Sequence, residues 1–324
     1  MESKTKFAIG CLIQWYESDI IVEYITSLEA AIKEYDGEVI VNAVLSINQD
    51  LEKSTMDPAE MIRTRTSILN QFLSLQNLRE GILVFTNTVS NNYSIADYRR
   101  EFNTKYCNLA DVLVWGESDL LVPKQAFVAL DALHQQQKNI TPKYLATFAI
   151  CKMWDKSWEP LEHPEFTTKP FIENDYTNWW SLKYTMTIDE MNAFNDKVED
   201  IDVRVISPHK YNGCGLVISS EVIKAGVNIP SSVFFVHEDT AFMLMTQKIL
   251  GNIPQYHFKN ILAVHNRNHP NKRNYVVGET GETLNQKRRS NDWYVKANKF
   301  SEENCYNLFN PKYKSKTWND VWAK

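Results

Sequence analysis

The sequence predicts an α/β protein: a mostly parallel sheet with helices on both faces. Three observations carry this. Apolar strand-like runs alternate with helical patterns through the first half of the chain, the arrangement that produces parallel strands joined by crossover helices. The runs are apolar along their length, as in strands buried on both faces. The length of 324 residues, with 44% hydrophobic and 23% charged residues, suffices for a sizeable globular core.

Residues 6–13 read as the first strand. A helix is expected over 18–35, capped by Ser18 or Asp19, with Ile21, Val22, Ile25, Leu28, Ala31 and Ile32 at helical spacing. Residues 38–47 form the second apolar strand. Pro58 suits the first turn of a helix running to 78. A third strand over 81–86, a short helix over 95–104 and a fourth strand over 111–115 follow. Beyond residue 140 the pattern changes. Strands are expected over 145–153, 203–206, 215–219 and 260–265, and residues 234–250 begin apolar and become helical through Glu238-Asp239. Between them, 154–180 is irregular and aromatic-rich, with Trp154, Trp158, Phe166, Phe171, Tyr176, Trp179 and Trp180. A long stretch of that kind is usually an insertion or functional.

The net charge of −5 argues against a protein-wide grip on nucleic acid but leaves room for a local basic face. Five scattered cysteines, Cys11, Cys107, Cys151, Cys214 and Cys305, form no C-x-x-C pair, so a disulfide framework or structural zinc is not expected. No apolar run is long enough to span a bilayer, and the N-terminus does not read as a signal peptide. A soluble cytoplasmic protein is the expectation.

Three features carry chemistry. The fourth strand runs into Glu117 and Asp119. If strand regularity persisted to Asp119 both carboxylates would point to one side, and paired carboxylates suit a hard divalent cation; the plainer reading is a polar turn. His237-Glu238-Asp239 opens a helix, where acids either cap the dipole or act as bases. His265 ends the apolar run 261–264; an imidazole is a good third ligand beside carboxylates, or an ordinary hydrogen-bonding residue. In an α/β sheet ligands bind beyond the strands' carboxyl ends. Gln14, Trp15 and Glu17 after the first strand, and Asn48 and Asp50 after the second, are candidates to contact a nucleotide.

In their order, Glu117-x-Asp119, Gly213-x-Gly215, Glu238-Asp239 and His265 resemble the landmarks of a GT-A-fold glycosyltransferase, over about residues 6–268. The resemblance implies a Rossmann-type mixed, mostly parallel sheet with an aromatic-rich insertion on the acceptor side. It implies a nucleotide-sugar-binding half over 1–120, an acceptor and catalytic half over 121–268, and a basic C-terminal extension over 269–324. A Mn2+ or Mg2+ ion would sit on the diphosphate of a UDP-linked or similar donor, held by Asp119 most directly, with Glu117 and His265. Glu117 stands where the family usually has Asp. In an inverting member Asp239, or else Glu238, would take the acceptor proton; Gly213 and Gly215 would lie under the donor sugar, and Arg99 or Arg100 would neutralise the diphosphate. The chain also looks similar to tailed-phage enzymes that glycosylate hydroxymethylcytosine in DNA, which would place it in a host cytoplasm. Arg267, Lys272, Arg273, Arg288 and Arg289 would then meet the DNA. A surface polysaccharide or other glycan is the conventional acceptor. A non-catalytic nucleotide- or glycan-binding module is the competing class. The first strand-turn-helix lacks G-x-G-x-x-G, against a dinucleotide oxidoreductase, and a two-metal nuclease would need more clustered acids.

Overall fold

The computed structural model describes residues 3–14, 17, 20–47, 58–78, 82–150, 156–164, 186–210, 213–266 and 292–323. Its strands are β1 (Phe7–Gln14), β2 (Val39–Ile47), β3 (Leu83–Val89), β4 (Val112–Trp115), β5 (Leu120–Leu121), β6 (Leu145–Ala149), β7 (Val203–Ile206), β8 (Val217–Ser219), β9 (Gln255–Leu262) and β10 (Val264–His265). Its helices are α1 (Ile21–Lys33), α2 (Pro58–Gln76), α3 (Ile95–Tyr106), α4 (Ala126–Gln137), α5 (Ile188–Asn195), α6 (Ser220–Lys224), α7 (Glu238–Leu250), α8 (Asp292–Tyr306) and α9 (Trp318–Trp322).

Eight strands form one mixed sheet in the order β3-β2-β1-β4-β8-β6-β9-β7. The four strands from the first half are all parallel; β8 then runs antiparallel to both β4 and β6, β9 is parallel to β6, and β7 closes the sheet antiparallel. The expected mixed, mostly parallel sheet with helices on both faces is therefore what the chain adopts.

The period-two geometry of β1 explains its unbroken burial. Phe7, Ile9, Cys11 and Ile13 face a core layer with α1, α2 and α4, including Tyr24, Leu28, Phe72 and Phe127. Ala8 and Leu12 face a second layer with α3, α6 and α7, including Tyr98, Phe102, Val222 and Phe242. Gly10 lies on that second face, where a Cβ would come within 2.6 Å of the Phe102 ring and of Tyr98 Oη. Its missing side chain lets α3 lie against the sheet. The N-terminus of α3 is fixed by a capping box between Ser94 and Asp97.

Several boundaries differ from the sequence expectations. Helix α1 starts at Ile21 with no side-chain cap; Ser18 and Asp19 fall outside the described residues, as do residues 151–153 of the expected strand over 145–153. The expected strand over 260–265 is the end of a longer one, β9, followed after Ala263 by β10. Part of the expected C-terminal extension is folded into the molecule. Ala297, Ser301 and Cys305 of α8 are buried, and Trp293, Tyr294 and Phe300 pack around Phe234 and Phe235. Of the aromatic segment, 156–164 includes a 3-10 turn with Trp158 half-buried, while Trp154 and 165–180 lie outside the described residues. No helix among the described residues is long and apolar enough to cross a membrane.

Candidate active site

Because β1, β2, β3 and β4 are parallel, their carboxyl ends share one edge of the sheet. Strand β4 is the short one. Trp115 pairs with Gly10, so the chain leaves β4 while β1 continues to Gln14. The Gly116 N–H donates to the Gly10 carbonyl at 2.7 Å. Glu117 therefore enters the crevice beside the end of β1.

Regular strand geometry stops at Trp115, so alternation does not aim Glu117 and Asp119. Their convergence has another cause. The two-residue strand β5 pairs antiparallel with β10, setting Leu120 opposite His265, and the Asn266 N–H donates to the Asp119 carbonyl at 2.7 Å. His265 Nε2 consequently lies 3.1 Å from Glu117 Oε2 and 3.4 Å from Asp119 Oδ1. Neither approach has hydrogen-bond alignment, which leaves a buried ring nitrogen facing two carboxylates without a proper partner.

The turn before β8 brings a third donor. The Gly215 N–H donates to the Trp115 carbonyl at 2.8 Å, and the Trp115 N–H donates to the Leu216 carbonyl at 2.9 Å. This tie places Cys214 so that its sulfur, a Glu117 oxygen and a His265 nitrogen all lie within 4.8 Å of one another. Carboxylate, imidazole and thiol in that space are a chemically suitable donor set for a divalent cation. The compact triad contains Glu117 rather than Asp119, which was expected to be the most direct ligand. Asp119 adjoins the set through His265, its side chain almost fully buried.

Arg99 joins this cluster to the second acidic pair. Its guanidinium contacts Glu117 Oε1 at 2.5 Å, Glu238 Oε1, and the Gly213 carbonyl at 2.7 Å, and lies 4.7 Å from the Trp115 ring centroid. Arg99 is 1% exposed. Arg99, a candidate to neutralise a diphosphate, is thus buried with its charge shared between two carboxylates of the protein itself. Arg100 is committed too, to Asp97 and to the carbonyls of Ile229, Pro230 and Val233. A Cβ at 213 would collide with the Arg99 guanidinium, so that glycine makes room for the arginine. Gly215 has φ of 75°, a left-handed conformation that glycine adopts at no steric cost.

Electrostatics separate the carboxylates. Burial would raise Glu117, but the contact with His265 and the charge of Arg99 hold it down to about 2. For Glu238 burial dominates and pushes it up to about 7, against the pull of Arg99 and helped by the neighbouring Asp239 charge. Burial opposes protonation of His265, yet Asp119 and Glu117 outweigh it and raise the imidazole. Glu117, Asp119, Glu238 and Asp239 thus share a region with the Arg99 guanidinium and the His265 imidazole, and a metal cation bound at the imidazole nitrogen would take the place of its proton beside Glu117 and Asp119.

Helix α7 begins at Glu238 after His237, which sits in the left-handed region at φ 67° and makes no side-chain cap. Asp239 Oδ1 accepts from the Thr240 N–H at 2.7 Å, and the carboxylate is half-buried rather than sequestered. The loop ahead of His237 is pinned by α8, where Ser301 Oγ donates to the Val236 carbonyl at 2.6 Å and Asn304 donates to the Ser232 carbonyl at 2.7 Å. Neither Cys214 nor the role of α8 follows from sequence motifs. The only available signal for the first was its place between two glycines.

Among the donor candidates, Gln14 ends β1 and its N–H donates to the buried Glu17 carboxylate at 2.8 Å, closing a turn at the sheet edge. Trp15, Asn48 and Asp50 lie outside the described residues, as do Arg267, Lys272, Arg273, Arg288 and Arg289. Cys214 and His265 line a small cavity with Leu120, Thr147 and Phe148. A larger cavity, about 440 Å³, lies elsewhere, between β2, β3 and α3, lined by Asn42, Thr86, Tyr93 and Lys105 among others. Size alone would point there, but the convergent titratable groups are at the edge of β4.

No protein-family model and no curated protein sequence matches the chain. Solved structures with some likeness include residues 1–349 of S. aureus TarS, with a TM-score of 0.48 and 11% identity over 94% of this chain and 72% of that one. GalNAc-T7, solved with UDP, GalNAc and Mn2+, gives 0.45 and 9% over 94% of this chain and 52% of that one. The galactosyltransferase LgtC, in complex with donor and acceptor sugar analogs, gives 0.32 and 12% over 79% of this chain and 72% of that one.

Proposed function

We propose that the chain is a divalent-metal-dependent glycosyltransferase that moves a sugar from a nucleotide diphosphate donor to an acceptor hydroxyl. The observation that carries this reading is the approach of His265 Nε2 to two carboxylates, Glu117 and Asp119, without hydrogen-bond alignment. Once the imidazole gives up its proton, that nitrogen and the two carboxylates would offer donors to one cation. The crevice lies at the carboxyl edge of the sheet, where α/β folds bind nucleotides.

When bound, the cation supplies positive charge to the departing diphosphate. Arg99 keeps Glu117 ionised and fixed in place for that ion. Asp239 accepts the proton of the attacking hydroxyl, because its carboxylate is half-buried and its Oδ1 is oriented by the Thr240 N–H. Glu238 is the weaker candidate, being buried against Arg99. Gln14 and Glu17, at the end of β1, are assigned to the nucleotide end. This base assignment belongs to a transfer that inverts the anomeric centre.

The test is a panel of nucleotide sugars, UDP-linked first, scored for Mn2+-dependent hydrolysis and for thermal stabilisation. Asp119→Asn should weaken metal-dependent donor binding. Asp239→Asn should leave donor binding intact and lower turnover by roughly 10²–10⁴-fold, the range for a positioned base. Unchanged turnover in Asp239→Asn would remove the base assignment. No response to any donor, with or without metal, would leave the binding-module reading in its place. The acceptor classes separate in the same assay, by labelled sugar transfer to hydroxymethylcytosine-containing duplex or to polysaccharide.

A further inference from the structure

We propose that Cys214 is itself a ligand of the cation held by Glu117 and His265, and that its sulfur tunes the centre toward borderline cations such as Zn2+ and Co2+. The inference rests on the metal-centre reading above and adds a ligand and a metal preference to it.

The argument is one of placement and donor softness. The Cys214 sulfur lies within 4.8 Å of both the Glu117 oxygen and the His265 nitrogen, a spacing from which small side-chain adjustments bring all three onto one ion. Cys214 and His265 also line the same small cavity, so both side chains border one space. The backbone around the cysteine is held on two sides. Arg99 binds the Gly213 carbonyl, and Gly215 is locked to the end of β4 through the Trp115 carbonyl. Arg99 leaves no room for a side chain at 213, and the positive φ at 215 disfavours one there. Across 213–215 the turn therefore presents a single side chain, Cys214, beside the donor set. The other described cysteines, Cys11, Cys107 and Cys305, are buried; Cys214 is partly accessible.

Carboxylate and imidazole alone bind Mn2+ and Zn2+ with the ordinary divalent order. Thiolate adds affinity for Zn2+ and Co2+ and little for the harder Mn2+ or Mg2+. On binding, the sulfur–metal bond replaces the S–H bond and the proton passes to solvent, with no change of oxidation state.

The experiment is a titration of the full-length metal-free protein with Co2+, read by absorption and not by turnover. Wild type should show visible d–d bands together with a near-ultraviolet thiolate-to-cobalt charge-transfer band. Cys214→Ser should keep the d–d bands and lose the charge-transfer band. Its affinity for Zn2+ should fall by about tenfold or more, while that for Mn2+ changes by less than about twofold. Glu117→Gln should weaken both sets of bands together. A wild-type spectrum with d–d bands and no charge-transfer band, or a Cys214→Ser protein that keeps that band, overturns the assignment while leaving the carboxylate–imidazole centre standing. Absence of any Co2+ binding by folded wild type overturns the metal centre itself, and this assignment with it.

Discussion

Glu117 and Glu238 share one guanidinium and end at opposite extremes. Both are packed against Arg99, yet Glu117 is held down to about 2 and Glu238 is pushed up to about 7. For both, burial is the largest influence and raises the carboxyl. The difference lies in the remaining neighbours. Glu117 faces His265 on its far side, a second group that favours the anion, whereas Glu238 is followed by Asp239, a second negative charge. One buried arginine cannot fully compensate two buried carboxylates. The carboxylate with a second cationic neighbour stays ionised, and the other is left close to holding a proton at neutral pH. Two acidic pairs that look alike in sequence are therefore different devices, one suited to holding a cation and one placed beside the proposed base.

The comparison breaks most completely at Arg99. Arg99→Met should destabilise the fold by about 3–5 kcal/mol, because it strands buried carboxylates without their counter-charge. Chemical denaturation would measure this, and added divalent cation should recover part of the loss by replacing positive charge beside Glu117. A loss under about 1 kcal/mol would mean that the carboxylates had simply taken up protons at little cost. Gly213→Ala reaches the same guanidinium sterically. The new methyl must displace it, and a cost of about 1–3 kcal/mol is expected for such overpacking. Gly215→Ala, at a site with space but a positive φ, separates the steric origin from the conformational one.

The two carboxylates also predict opposite pH slopes in the metal-free protein. Glu117 has a folded value below its ordinary 4.5, so its stabilisation is present above 4.5 and is lost as pH falls from there towards 2. Glu238 has a folded value above its ordinary 4.5, so the folded state binds its proton more tightly and stability falls as pH rises from 4.5 through about 7. His265 adds a loss on the alkaline side as it deprotonates. Stability measured from pH 3 to 8 should therefore flatten on the acid side in Glu117→Gln and on the neutral side in Glu238→Gln, each by about 1–3 kcal/mol. Identical profiles for the two variants would erase the distinction between the acids.

Much of this was legible from the chain. The strand-helix alternation through Trp115 sufficed for the parallel half, because continuous apolar runs have few alternatives to a strand buried on both faces. Glu117, Asp119, Glu238, Asp239 and His265 could be nominated because each follows or opens an apolar element. What joins them was not legible. Arg99 reads as one basic residue on a helix face, and only the close approach of α3, permitted by Gly10, turns it inward between two distant acids. The convergence of Glu117 and Asp119 on His265 depends on pairing between two-residue strands, β5 and β10, too short for any periodicity. The polar sequence around α8 conceals a helix whose small buried residues, Ala297, Ser301 and Cys305, fasten a loop 65 or more residues away along the chain.

That fastening affects only the Glu238 side, and it supplies the smallest predicted effect. Ser301 Oγ is 3.3 Å from the N–H groups of Phe235 and Val236 and donates to the Val236 carbonyl at 2.6 Å, directly before the left-handed His237. The Cys305 thiol approaches the His237 carbonyl at 3.7 Å. Ser301→Ala should cost about 1 kcal/mol, the net worth of a buried hydrogen-bond group of this kind. Its more telling consequence is positional. With the loop less constrained, Asp239 samples more orientations, so turnover should fall several-fold while the KM for donor and the affinity for Co2+ stay at wild-type values. A merely structural serine would lower stability without moving turnover per folded molecule. A Ser301→Ala protein with unchanged turnover would show that α8 supports the fold alone, and that the start of α7 holds its own geometry.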